Sequence, residues 1–88
     1  MFYDDTIAAI ATASLSGGVS ILRISGEEAI AASDRILQLK NKTLAECQSH
    51  TVHYGFVVDE KLQRLDEVIV LLMRAPNSYT REDVVEIQ

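Results

Sequence analysis

Only one cysteine is present, Cys47, so no intrachain disulfide can form. That fits a reducing cytoplasm and excludes a disulfide-stapled secreted scaffold. No apolar run approaches the ~20 residues that a membrane span needs. Met1-Phe-Tyr-Asp-Asp5 carries acid where a secretory signal carries base. The expected compartment is therefore the cytoplasm, with no membrane partner. Base is scarce as well: eight Lys and Arg stand singly against thirteen Asp and Glu, giving a net charge of −5. No basic stripe exists to track a phosphate backbone, so nucleic-acid binding by this chain alone is disfavoured. No G-x-x-x-x-G-K-[S/T] occurs, which excludes a nucleotide P-loop. His50 and His53 lack a third ligand at metal-like spacing, and no metal site is expected. Cys47 follows Glu46, an acid that disfavours the thiolate. No Ser-His-Asp or Cys-His arrangement can be built from the spacings, so no catalytic residue is assigned.

What remains is an ordinary globular composition, 48% hydrophobic and 24% charged, over 88 residues. That is enough for one domain with one modest core. Thr6 to Thr12 reads as a short apolar strand, and Ala13 to Gly18 as a loop whose Gly17-Gly18 pair permits positive φ. Val19 to Ile24 is predicted as a strand, with Arg23 in the row of Val19 and Ile21. Ser25-Gly-Glu-Glu28 reads as a capping box that starts a helix running to Leu37. The spacing puts Ile30, Ser33, Ile36 and Leu37 on its buried stripe. Gln38 to Cys47 has no clear period and reads as loop or frayed helix end. Thr51 to Val58 alternates, with Val52, Tyr54, Phe56 and Val58 on one face of a half-buried strand. Asp59 to Gln63 is a charged hairpin loop. Leu65 to Met73 is apolar on both faces from Val68 onward, as a central strand is. Pro76 ends that segment. Thr80 to Asp83 is expected as a single capped helical turn, and Val84 to Ile87 as the last strand. The order β-β-α-β-β-β predicts an α+β domain with a mostly antiparallel sheet and one principal helix. Because the sequence stops one residue after a strand, it is expected to be a piece of something longer.

Two charged residues stand in apolar rows. Glu86, in Val84-Val-Glu-Ile87, shares a face with Val84 and Gln88. Such a carboxylate can grip a cyclic guanidine-like edge with two hydrogen bonds, as a pterin offers; the alternative is a solvated carboxylate. Arg23 calls for a partner, either an oxygen of a bound ligand or an internal carboxylate such as Glu86, Asp66 or Glu67. Gly17-Gly18 could cradle ligand oxygens or simply form a turn.

Five segments in the same order resemble one family. They are Asp5-Thr-Ile-Ala-Ala-Ile-Ala-Thr12, Gly17-Gly-Val-Ser-Ile-Leu-Arg-Ile-Ser-Gly26, His53-Tyr-Gly-Phe56, Leu65-Asp-Glu-Val68 and Ala75-Pro-Asn-Ser-Tyr-Thr-Arg-Glu-Asp-Val-Val-Glu-Ile87. The resemblance is to the N-terminal, tetrahydrofolate-binding and dimerisation domain of the MnmE/TrmE tRNA modification GTPases. It implies a fold like the folate-binding domain of the glycine-cleavage T-protein. It also implies a bound one-carbon tetrahydrofolate of the 5-formyl type, and a homodimer with folate near the interface. On this resemblance residues 1–88 are a C-terminally truncated folate-binding domain, without the helical and GTPase domains of the parent. The fragment alone is then not an enzyme. The parent hydrolyses GTP, with Mg and K, in a later domain, and works with the MnmG flavoprotein on carbon 5 of the wobble uridine in tRNA. Arg23 matches the family's folate-contacting arginine and Glu86 its folate-contacting glutamate. One departure is the first loop, Thr12-Ala-Ser-Leu-Ser-Gly-Gly18, which lacks the proline that the family often carries. Two other readings are a dimerisation and docking module without folate, and an aminomethyltransferase-type relative outside the GTPase family.

Overall fold

Val84-Val-Glu-Ile87 forms a strand over the predicted residues, and all four are buried. It is one of two central strands in the sheet. The computed structural model describes residues 6–12, 21–76 and 82–88. Its elements are β1 (Ile7–Thr12), β2 (Ile21–Ser25), α1 (Ala29–Ile36), β3 (Leu37–Leu39), a 3₁₀ turn (Leu44–Glu46), β4 (Thr51–Val58), β5 (Arg64–Met73) and β6 (Val84–Ile87). The strands make one sheet in the order β1-β2-β6-β5-β4-β3, and every neighbouring pair is antiparallel. With one α-helix among the described residues, this is the expected α+β class. The predicted Gly17-Gly18 loop and the Thr80 cap lie outside the described residues.

The core lies between the sheet and α1. Ile30 and Ala29 of the helix meet Ile24, Val68, Val70, Leu72, Val85 and Ile87 of the inner sheet face. Burying each such aliphatic side chain stabilises the fold by ~1.5–3 kcal/mol before entropy is counted. Ile30 and Ser33 are buried and Ile36 half-buried, as the helical spacing predicts, whereas Leu37, expected as the last helical residue, is extended and is buried as the first residue of β3. No helix among the described residues is long and apolar enough to cross a membrane.

Local expectations failed at three places, each for a non-local reason. The capping box does not form. Ser25 ends β2, where it pairs with Ile7 and Val84. The helix starts only at Ala29, and Glu28 takes the N-cap position without a side-chain cap. The Glu28 N–H donates instead to Thr6 Oγ1 at 2.9 Å, so the cap comes from the residue that precedes β1. Second, the stretch read as loop after the helix contains β3 and the 3₁₀ turn. Two long-range contacts hold this segment. Asp34 Oδ1 and Oδ2 accept from the Leu44 and Ala45 N–H groups at 2.7 and 3.1 Å. Arg74 donates to the carbonyls of Leu44, Ala45 and Cys47 at 2.8–3.2 Å.

Third, β4 turns the start of its apolar row outward, while Val58, beyond the irregularity after Val57, is buried as expected. Val52 and Tyr54 are 62% and 58% exposed, while His53 and Gly55 are buried. Register decides this. Val68 and Val70 of β5 face the helix and stand opposite Gly55 and His53, which must point the same way. Gly55 is also needed for space. A Cβ there would lie 2.6 Å from Gln38 O and 2.6 Å from Leu39 Cδ2, so β3 approaches β4 closely where only glycine fits.

Candidate functional site

β2 and β6 are adjacent and antiparallel, and Arg23 stands directly opposite Glu86. Directly paired residues project from the same sheet face, so the period-2 pattern of both strands brings the two charges together. They lie on the outer face, away from α1. Arg23 Nε and Nη2 both donate to Glu86 Oε2, at 2.8 and 2.6 Å. This internal ion pair is the partner foreseen for Arg23 among three carboxylates; Asp66 and Glu67 are not the ones used.

The pair is asymmetric. The Glu86 side chain is 7% exposed and that of Arg23 39%. Both arginine donors converge on one carboxylate oxygen. Among the described residues no hydrogen bond reaches the other, Oε1. A carboxylate whose charge is balanced at one oxygen keeps acceptor capacity at the other. It can therefore receive donors from a ligand without being buried as an unpaired anion.

An apolar strip leads away from the pair on the same face. Glu86 pairs with Leu71 of β5, and Leu71 with Val52 of β4. Ile69 and Tyr54 form the next pair along, and Ile69 is 47% exposed. The face thus offers a charged, hydrogen-bonding end and an apolar body. That combination suits a flat ligand with polar groups on one edge.

The other sequence candidates are dispersed. His50 Nδ1 lies 2.7 Å from Ser49 Oγ, and His53 Nε2 lies 2.7 Å from Thr51 Oγ1. Thr51 gives its only hydroxyl proton to Gln48 O, so His53 Nε2 is the donor in its contact. Burial pushes the His53 imidazole below its ordinary pKa, and the nearby Lys42 charge adds to this. Cys47 is half-buried, its thiol 3.3 Å from Thr43 O. Among the described residues no cluster of three or more His, Cys, Asp or Glu could hold a metal ion. Sequence reading missed Arg74 and Asp34, whose partners are backbone groups that no side-chain pattern marks.

Comparison with known proteins bears on the same chain. The model of a family described as the GTP-binding protein TrmE N-terminus matches residues 6–88. A tRNA modification GTPase MnmE from Lachnoclostridium phytofermentans is 58% identical over 94% of this chain and 18% of its own length. The protein of that name from Alkaliphilus oremlandii is 51% identical over 99% of this chain and 19% of its own. One from Enterococcus faecalis is 50% identical over 94% and 18%. The chain spans less than a fifth of the length of these relatives.

Proposed function

The chain belongs to the TrmE N-terminus family, and on that premise we propose that its outer sheet face binds a one-carbon tetrahydrofolate of the 5-formyl type. Arg23 and Glu86 are the ligand contacts in this reading. The observation that carries it is the Glu86 carboxylate, held by Arg23 through Oε2 with Oε1 left as an acceptor. A pterin presents a ring N–H and an amino group side by side, which suit a carboxylate edge. Arg23 fixes the carboxylate before the ligand arrives, so little ordering cost is met on binding. The apolar strip through Leu71 and Val52 would then carry the flat body of the ligand.

In the whole protein this domain would present the folate as a one-carbon source. The parent acts as a homodimeric GTPase that, with MnmG, modifies carbon 5 of the wobble uridine in tRNA. GTP, Mg and K belong to a part of the parent outside these residues, and the compartment is the cytoplasm. The role of Arg23 and Glu86 is binding and orientation, not bond making.

Calorimetric titration of the chain with 5-formyltetrahydrofolate tests this reading. Saturable binding in the micromolar range is expected. Arg23→Ala and Glu86→Ala should each weaken it by more than tenfold, in line with the ~2–5 kcal/mol that breaking a buried charged pair costs. Unchanged affinity in both variants would remove these residues from the site. A second reading is favoured by the exposed Val52, Tyr54 and Ile69: a dimerisation and docking module in which this face is covered by protein. A folded dimer that takes up no folate would support it.

A further inference from the structure

At the far edge of the sheet from Arg23, β3, β4 and the start of β5 enclose a cleft of about 450 Å³. Gln38, Lys40, Tyr54, Phe56 and Arg64 line it. The Arg64 guanidinium lies 4.1 Å above the centre of the Phe56 ring. Its Nε donates to Gln38 Oε1 at 2.9 Å. Stacking and one neutral amide therefore hold the group in place, and among the described residues no carboxylate forms an ion pair with it. Among the described residues, nothing accepts a hydrogen bond from its two terminal nitrogens, and no carboxylate pairs with Lys40. Because Gln38 Oε1 is committed to Arg64, the Gln38 amide nitrogen is left as a further donor. A guanidinium fork oriented in this way is the geometry that takes a carboxylate or phosphate through two parallel bonds.

The cleft also has a flat apolar wall. Tyr54 meets Phe56 edge to face, with ring centres 5.6 Å apart and planes at 71°. The Tyr54 hydroxyl donates to Glu67, which fixes the ring while leaving the residue 58% exposed. Glu67 stands opposite Phe56, and with Asp66 it lines an adjoining hollow beside Arg64. The Glu67 Oε2 is occupied by Tyr54, and neither carboxylate forms an ion pair with Arg64 or Lys40 among the described residues.

We propose that this cleft is a second ligand site, separate from the Arg23–Glu86 pair, for an oxyanion carried on a flat ring. The oxyanion sits on the Arg64 fork with the Gln38 amide and Lys40 beside it, and the ring lies against Tyr54. A carboxylate and a phosphate share this chemistry.

Nitrogen-proton NMR titration of the chain with four probes tests the proposal: benzoate, benzamide, uridine 5′-monophosphate and uridine. The Arg64 Nε–H and Gln38 side-chain amide signals report binding. Saturable shifts of both signals are expected with one or both anions, with the neutral counterpart about tenfold weaker or more. Arg64→Gln should weaken the anion about tenfold. A response to benzoate alone assigns a carboxylate, a response to the monophosphate alone assigns a phosphate, and a response to both leaves the site general for oxyanions. Equal binding of the neutral probes, no response to either anion, or an Arg64→Gln variant that binds as the parent does would overturn the proposal. Arg64 is exposed and its removal leaves the core intact, and a dispersed spectrum of the variant checks that it folds. Failure of folate binding at Arg23 and Glu86 would not touch this result, because the reporters sit on the opposite edge of the sheet.

Discussion

Arg23 and Glu86 are directly opposed across β2 and β6, and two guanidinium nitrogens share a single carboxylate oxygen. The burial of the two partners differs, so their removal should differ. Arg23→Ala leaves Glu86 buried without its counter-charge and should cost about 3 kcal/mol, the lower end for buried pairs because the arginine is partly solvated. Glu86→Gln keeps an acceptor for Arg23, whose side chain also reaches water, and should cost about 1 kcal/mol. Urea unfolding of both variants measures the difference; equal losses would contradict the asymmetry.

The pair also allows stability and binding to be separated. Replacing both members with apolar residues of similar size, Arg23→Met with Glu86→Leu, removes both charges of the pair together. Such replacements are often neutral or stabilising by about 1–4 kcal/mol. The double variant should therefore unfold no earlier than the parent chain in urea, yet take up no 5-formyltetrahydrofolate by calorimetry. A stable double variant that still binds would mean that the pair serves the fold alone.

How much of this was legible in the sequence depended on how local the cause was. The period of Val84-Val-Glu-Ile87 and of Ile21-Leu-Arg-Ile24 sufficed to put Glu86 and Arg23 on definite faces. That those faces meet depends on β6 inserting between β2 and β5, which no local pattern specifies. Val52 and Tyr54 read as a core face because they are apolar. The register with Val68 and Val70 turned them outward, because it sets His53 and Gly55 on the inner side. The capping box at Ser25 is a correct local signal overridden by strand pairing. Three-residue β3 fell below the length at which alternation can be recognised. The Arg64 cleft was illegible for the same reason, because Gln38 reaches Arg64 only through that strand.

Arg74 binds three backbone carbonyls around the 3₁₀ turn and ties it to the end of β5. Hydrogen bonds from a charged donor contribute about 1.5–3 kcal/mol each when intact, and they are not additive. Arg74→Ala should therefore lower stability by at least about 2 kcal/mol. Arg74→Lys should recover little, because one ammonium cannot reproduce the planar fork that reaches several carbonyls at once. Thermal unfolding of the two variants checks this, and full rescue by lysine would show that charge alone matters.

Gly55→Ala isolates the close approach of β3 to β4. The added methyl would sit 2.6 Å from Gln38 O, a backbone atom that cannot swing aside. Overpacking of this kind costs about 1–3 kcal/mol. The loss should concentrate at the sheet edge, so hydrogen exchange should accelerate at Leu37 to Leu39 more than in β5 and β6. Uniform acceleration across the sheet would show that β3 is not where the strain is released.

His53 gives the fold a pH dependence whose sign is fixed by its burial. His53 is 9% exposed, its Nε2 donates to Thr51, and desolvation with the Lys42 charge holds its pKa below 6.5 in the folded chain. The unfolded chain therefore binds this proton more readily, and stability must rise with pH wherever that difference is felt. The contribution is fully present above the unfolded pKa of about 6.5 and is lost as pH falls through that value toward the lower folded pKa. His53→Gln keeps a donor for Thr51 Oγ1 but cannot take up a proton. Between about pH 7.5 and pH 5, the free energy of unfolding of the parent chain should fall more steeply than that of the variant, with the gap opening near the ordinary histidine pKa. Parallel curves over that range would mean that His53 is as easily protonated in the fold as out of it.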